Sequence, residues 1–336
     1  MSTGSSWAGT RSTALRARRG KLKRVHQMRL RAGMTAGELA EEMRLTGVMQ
    51  AGRIGRAAEI TAEMFSNPDY TTFLTLSGPL THGGLRLVFS DLIRKGYVDA
   101  IVTNGANMVG DLIEAMGEHH YIGKVDANDE ELWEKGINRA YDIYFNGSSF
   151  EHLEKFAYGI LDDIPEATRD GIPINGLLKE IGLRLKDKDS ILYNAAERDV
   201  PIFSPGFLDS MLGIPLYMYS KRNKLVINPL RDFDRFTDYV YEANKSGAII
   251  LGGGTPKHHT QYMHTLREGL DAAIQIGSAR VEDGSLSGAP LKESVSWGKL
   301  KGKQMEMTAT IFGEVTSVFP LIIAAALEKV EEKKVT

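Results

Sequence analysis

Along this chain, blocks of apolar residues alternate with glycine-bearing loops, and the spacing inside each block separates helices from strands. "TAGELAEEMRLTG" sets Thr35 and Glu38 at capping-box spacing, with Gly47 placed to end a helix in the left-handed region. "QAGRIGRAAEITAEMF" predicts a second helix, stopped by the turn "SNPD". The pattern then changes. "TTFLTL" (71–76) predicts a buried strand, "SGPLTHGG" a loop and "LRLVFSDLIRKG" a helix. "VDAIVTN" (98–104) predicts the next strand, followed by "GANMVGDLIEAMGEHH". The second half repeats the habit. Strands are expected in "VPIFSPG" (200–206), "SGAIILGGG" (246–254) and "LDAAIQIG" (270–277), with a helix from Pro256 and a last amphipathic helix from about Val315 into "LEKVEEKK". Strand, glycine loop and helix in repetition predict an α/β fold, doubly wound around a mostly parallel sheet. No repeat or low-complexity linker interrupts the series. Residues 35–336 therefore read as one domain and residues 1–34 as a basic N-terminal extension.

Composition narrows the possibilities. The 336 residues are 42% hydrophobic and 25% charged, an ordinary globular balance. Cysteine is absent, which excludes disulfides, thiolate nucleophiles and zinc–cysteine sites. A net charge of −2 gives no global attraction to nucleic acid or membrane. The apolar run "VTSVFPLIIAAAL" is shorter than the roughly 20 residues of a bilayer span. No apolar secretory segment opens the chain, so a cytoplasmic location is expected. "RSTALRARRGKLKRVHQMRLR" is basic throughout, and the first acid is Glu38. It lacks the interleaved aromatics of a nucleic-acid arm and reads as a loose extension, or as a helix docked on an acidic neighbour.

In an open parallel sheet, ligands bind where the carboxyl ends of strands meet loops. "GGGTPKHH" (252–259) fits neither the P-loop nor the G-x-G-x-x-G pattern. Gly252, Gly253 and Gly254 would still let backbone amides approach a ligand at a helix N-terminus, although a tight strand-to-helix turn explains them equally. Of the adjacent His258 and His259, one is expected to face solvent and the other the interior. A metal reading with His264 lacks a carboxylate set, so no metal is expected. An acid/base role suits one of the pair better. Asp209, Asp283 and Glu293 are loop acids near these segments. Lys299, in "ESVSWGKLKGK", follows Trp297 and Gly298. A lysine becomes a nucleophile only when its proton is lost, and Trp297 could supply an apolar wall and a cation–π face. The local pattern leaves both a surface amine and a nucleophile open.

The motifs "KGINR", "FSP..LDS.LG", "GGGTPKHH", "SGA" with "ESVSWGK", and "VFPL" together resemble the deoxyhypusine synthase family, from about Leu45 to Lys329. The resemblance implies a Rossmann-like NAD-binding topology and NAD as cofactor. It implies spermidine as donor of an aminobutyl group, which passes through an enzyme-lysine imine to a lysine of the translation initiation factor 5A precursor. A homotetramer with sites shared between subunits is implied as well. By position, Lys299 matches the imine former and His258 the active-site histidine, which also lies at the substrate. Trp297 and Glu293 match polyamine-binding positions. Gly252, Gly253, Gly254, Asp209, Asp283, Ser287 and Glu314 match cofactor positions. The departures are as specific. Val109 and Gly110 stand where eukaryotic members carry two acids, Ile214 and Leu286 replace two polyamine carboxylates, and Ser77-Gly78-Pro79 replaces a Thr-Ser-Asn cofactor loop. An unpaired buried ammonium costs about 3–5 kcal/mol, so either Asn107, Asp111, His82 or Glu282 substitutes or the amine differs. The chain thus resembles a divergent, archaeal-type member. The rival readings are transfer to a free diamine such as putrescine, making homospermidine, and a non-catalytic NAD-binding regulator.

Overall fold

The computed structural model describes residues 23–335. Its first half holds strands β1 (Tyr70–Leu76), β2 (Ala100–Thr103), β3 (Tyr121–Ile122), β4 (Ile137–Ala140) and β5 (Ile143–Asn146). Then come β6 (Asp170–Ile172), β7 (Ile202–Phe203), β8 (Val226–Ile227), β9 (Lys245–Leu251), β10 (Ala272–Gly277) and β11 (Thr308–Phe312). Six of them form one sheet in the order β11-β10-β9-β1-β2-β7, and every neighbouring pair is parallel. The chain therefore builds outward from β1 on one side, then returns to β9 and builds outward on the other. The order reverses between β1 and β9, which pair in register from Tyr70↔Lys245 to Leu76↔Leu251.

Helices cover both faces, which is why the central strands read as unbroken apolar runs. Side chains alternate across the sheet at period two. Leu74, Leu76, Ile249 and Leu251 enter one core with Phe89, Met108 and Phe319. Phe73, Ala248 and Ile250 enter the opposite core with Phe203, Phe236 and Leu300. The first helix, Ala36–Thr46, has both capping-box bonds at Thr35 and Glu38 and ends on Gly47 at φ 68°. The helix expected from Pro256 starts two residues earlier, at Gly254.

Several elements carry no clear signal in the sequence. Strand β11, "TATIF", pairs only with β10 and alternates half-buried with buried residues before ending on the exposed Phe312, as an edge strand does. The antiparallel trio β3-β5-β4 and the pair β6-β8 are short and mostly half-exposed. Lys23–Arg31 has no regular structure and lies against acids of the first helix. His26 meets Glu42 at 2.9 Å, the Arg29 amide donates to Glu42 at 2.9 Å, and Arg31 pairs with Glu38. The rest of the basic run falls outside the described residues.

Two histidines, His264 buried and His259 half-buried, tie stability to pH. His264 is enclosed by Phe73 and Phe236 and hydrogen-bonds the Thr260 carbonyl through Nδ1 at 2.7 Å. Burial holds its pKa at about 4. His259 packs edge-on against Phe233 and Phe236, and burial followed by the neighbouring His258 also brings it to about 4. The unfolded chain takes up these protons near pH 6.5 whereas the folded chain refuses them, so their contribution is present above 6.5 and is lost as pH falls toward 4. Each group should cost on the order of 3 kcal/mol by pH 4. Urea midpoints at pH 7, 5.5 and 4 should fall in the parent chain and fall less steeply in His264→Gln. Parallel curves for the two proteins would rule this out.

Candidate active site

A pocket of about 470 Å³ opens where the sheet order reverses. Its wall comes from the loops after five strands. Ser77 and Gly78 follow β1, Thr103 and Asn104 end β2, and Gly206 and Asp209 follow β7. Gly252–Pro256 follows β9, Gly277–Ala279 closes β10, and Ser287 completes the ring. The glycine turn is tightly built. Gly252 has φ +81°, and a Cβ on Gly253 would lie 2.5 Å from the Ser287 Cα. Ser77 Oγ donates to the Gly253 carbonyl, and the Gly254 amide donates to Ser287 Oγ at 2.9 Å. The helix Gly254–Met263 begins here, so its first amides and its dipole favour an anionic group at the pocket.

A second pocket, of about 610 Å³, holds Lys299 together with His258, Tyr262, Leu286, Glu293 and Trp297. It shares no lining residue with the first. The short helix Leu291–Trp297 ends at Gly298, and the chain then runs beside Leu270, just before β10. The Lys299 amide donates to the Ser294 carbonyl at 3.0 Å, and its own carbonyl accepts from Leu270 at 3.1 Å. The lysine is thus held by backbone on two sides and is only 7% exposed. Its ammonium lies 5.3 Å from the centre of the Trp297 ring. Among the described residues it forms no side-chain hydrogen bond or ion pair. His258 stacks on Tyr262, with ring centres 5.6 Å apart and planes 7° apart. Burial, then the charge of Lys299, lowers its pKa below the ordinary histidine range. A neutral imidazole beside an unpaired amine can take up a proton, and an aromatic wall with Glu293 at its edge can hold an alkylammonium.

The two pockets meet at one segment, and Lys257 fixes it. This fully buried side chain donates to the carbonyls of Leu286 at 2.7 Å and Ala289 at 2.6 Å. Burial lowers its pKa to about 8, against the opposing pull of Glu293. Ser287 faces the glycine pocket, whereas Leu286 and Ala289 face the lysine pocket. Nothing near "TPKHH" marks this lysine as internal, because its acceptors lie 29 and 32 residues downstream. Tyr262 was legible in principle, four residues after His258 on the same helical face.

The remaining sequence candidates scatter. Asp283 lies exposed in the turn Val281–Asp283 and lines neither pocket. Glu314 caps the last helix, accepting from the Thr316 and Ser317 amides at 2.9 Å each, and lines a third cavity. Ile214 is 76% exposed on the helix Gly213–Ser220. Of the four groups offered as substitute acids or acceptors, Asn107 is buried and accepts from Thr81 at 3.0 Å. Asp111 is consumed by Arg86 at 2.7 Å, Ser190 at 2.7 Å and two backbone amides. Glu282 is exposed, and His82 lines the third cavity, its Cε1 2.7 Å from where a Cβ on Gly110 would lie. Among the described residues no group of three or more potential metal ligands gathers, and no helix is long and apolar enough to cross a membrane.

The family model for deoxyhypusine synthase matches residues 38–326. A Methanothermobacter thermautotrophicus protein called "Probable deoxyhypusine synthase" is 41% identical over 306 residues, covering 91% of this chain and 98% of its own. One from Methanosarcina mazei, called "Probable deoxyhypusine synthase 1", is 38% identical over 301 residues, or 89% and 93% of the two chains. A crystal structure from Entamoeba histolytica, provisionally called a deoxyhypusine synthase, superposes with a TM-score of 0.59 at 21% identity. It covers 88% of this chain and 94% of that one, a likeness of fold.

Proposed function

Because the chain belongs to the deoxyhypusine synthase family, we propose that it performs NAD-dependent aminobutyl transfer from spermidine, through an imine on Lys299, to a lysine of the translation initiation factor 5A precursor. The observation that carries this reading is the state of Lys299. It is an almost buried amine with no hydrogen-bonding or ionic side-chain partner among the described residues, set against Trp297 and His258 in one pocket. An amine so placed has no ion pair to break before it bonds to a substrate carbon.

The glycine pocket fits the cofactor on three counts. The strand order, numbered within the sheet, is 3-2-1-4-5-6, that of doubly wound dinucleotide-binding sheets, and the pocket sits at its reversal. The bare Gly253 leaves a ligand-facing turn closed only by Ser287, and a helix N-terminus is available for a pyrophosphate. Asp209 stands in the wall, where a carboxylate can accept from a ribose hydroxyl. When bound, NAD accepts a hydride from the amine-bearing carbon of the donor and later returns it. The protein's own residues do the rest. Neutral His258 takes the proton released as the donor amine is oxidised. Lys299 attacks the activated carbon, the bond to the departing diamine breaks, and the acceptor amine then displaces Lys299. Glu293 pairs with a substrate ammonium, and the Trp297 face covers the chain between its amines. Exposed apolar side chains at Leu208, Met211, Ile214 and Tyr217 are consistent with assembly into a homotetramer.

Transfer to a free diamine is the second reading. Incubation with NAD, spermidine and either acceptor separates the two. Label from spermidine should appear on the factor 5A precursor. A product formed only with putrescine would reassign the enzyme to homospermidine synthesis.

A further inference from the structure

The segment 286–291 forms the wall that the two pockets share, and one polar side chain of the sheet holds it from below. On that face the sheet is otherwise apolar. Phe73, Ala248, Ile250 and Ala273 enter the core with Phe236 and Leu300. Gln275 interrupts them on β10, in register with Ile250 of β9 and Thr310 of β11, and is only 3% exposed.

Gln275 Nε2 donates to the Ser287 carbonyl at 3.1 Å. A carbonyl only accepts, so the amide nitrogen must face it. Oε1 is then left buried, without a partner among the described residues. An apolar side chain would leave no such orphan, so the bond to Ser287 is what the glutamine provides here. Thr310 acts beside it, its Oγ1 accepting from the Leu291 amide at 3.2 Å. From the helix Gly254–Met263, Lys257 takes the carbonyls of Leu286 and Ala289. On the other side the segment is pressed against its neighbour, since a Cβ on Gly288 would run into the Arg280 carbonyl. Side chains from three elements thus pin the wall at Leu286, Ser287, Ala289 and Leu291.

We propose that Gln275 is a positioning residue for oxidation of the donor amine: by holding Ser287 it fixes the shared wall, and so sets how a cofactor in the glycine pocket approaches an amine in the lysine pocket. Ser287 lines the first pocket and Leu286 and Ala289 line the second, so a shift of the segment moves one wall of each. The proposal rests on the reading that NAD fills the glycine pocket. In the step concerned, the amine-bearing carbon gives a hydride to the nicotinamide and its nitrogen gives a proton to His258, which leaves an imine and NADH. Misplacing reacting groups by about 1 Å costs on the order of a hundredfold in rate. Each ligand bound alone meets only one side of the wall, so its own affinity changes little.

The test compares Gln275→Leu and Gln275→Glu with the parent full chain, each shown by thermal melting to be folded. Spermidine is mixed with NAD-saturated protein and the first turnover is followed by NADH absorbance, while the affinities for NAD and for spermidine are titrated separately. Gln275→Leu keeps the volume and removes the donor. Its rate of NADH formation should fall by about tenfold to a hundredfold, with each dissociation constant within about threefold of the parent's. In Gln275→Glu the carboxyl can donate to Ser287 only while protonated. The ratio of its rate to the parent's should therefore rise as pH is lowered, whereas that of Gln275→Leu stays flat. An active parent with an unimpaired Gln275→Leu overturns the inference alone. So do flat ratios in both variants, or an NAD affinity that falls as far as the rate, since either makes Gln275 a merely structural residue. A parent that forms no NADH with spermidine removes the cofactor reading first, and this inference with it.

Discussion

Replacing Lys299 with alanine should abolish borohydride trapping of a spermidine-derived adduct and lower aminobutyl transfer by on the order of 10³-fold or more, as loss of a covalent nucleophile does. The same variant should bind NAD within about threefold of the parent, since effects at sites without shared contacts stay nearly independent. The structural reason is the separation of the pockets. Lys299 touches Trp297 and the pocket beyond it, and no residue that lines this pocket also lines the glycine pocket. Trapping measured by mass spectrometry, alongside NAD titration, reads both halves. Retained trapping would place the imine on another amine. Loss of NAD binding would make Lys299 a structural residue, held by Ser294 and Leu270, rather than a nucleophile.

Gly253→Ala should do the converse. Its methyl would stand 2.5 Å from the backbone of Ser287, which cannot yield as a flexible side-chain tip would. The 286–289 segment must move, at about 1–3 kcal/mol, and NAD affinity should fall roughly tenfold to a hundredfold. Saturating NAD should restore trapping at Lys299 only in part, because Leu286 and Ala289 of the same segment also line the lysine pocket. An unchanged NAD affinity would show that the cofactor does not use the glycine turn.

The parallel strands were legible because each is apolar on both faces and is followed by a glycine loop, a pattern that survives without tertiary context. β11 was not, since "TATIF" buries only one face and joins the sheet through β10 alone. The helix starting at Gly254 rather than Pro256 has a similar cause, because three glycines carry no propensity that fixes a boundary. At the site, "SWGK" and "KHH" were visible as words, and the fold brings Lys299, Trp297, Glu293 and His258 into one pocket. Asp283 looked equivalent to Asp209 on the chain, yet only Asp209 lines the glycine pocket. Lys257 escaped notice because burial is a property of its distant acceptors. The pairing of Asp111 with Arg86 and Ser190 was hidden for a related reason, since those partners lie far from it along the chain.

The contact between His82 and Gly110 also bears on how such a chain can change over generations. A side chain gained at position 110 while His82 is in place meets an occupied volume. Loss of the imidazole first leaves a gap that a later residue at 110 can fill. The order of the two steps therefore matters: a side chain at 110 first requires the imidazole to move, whereas loss of the imidazole first does not.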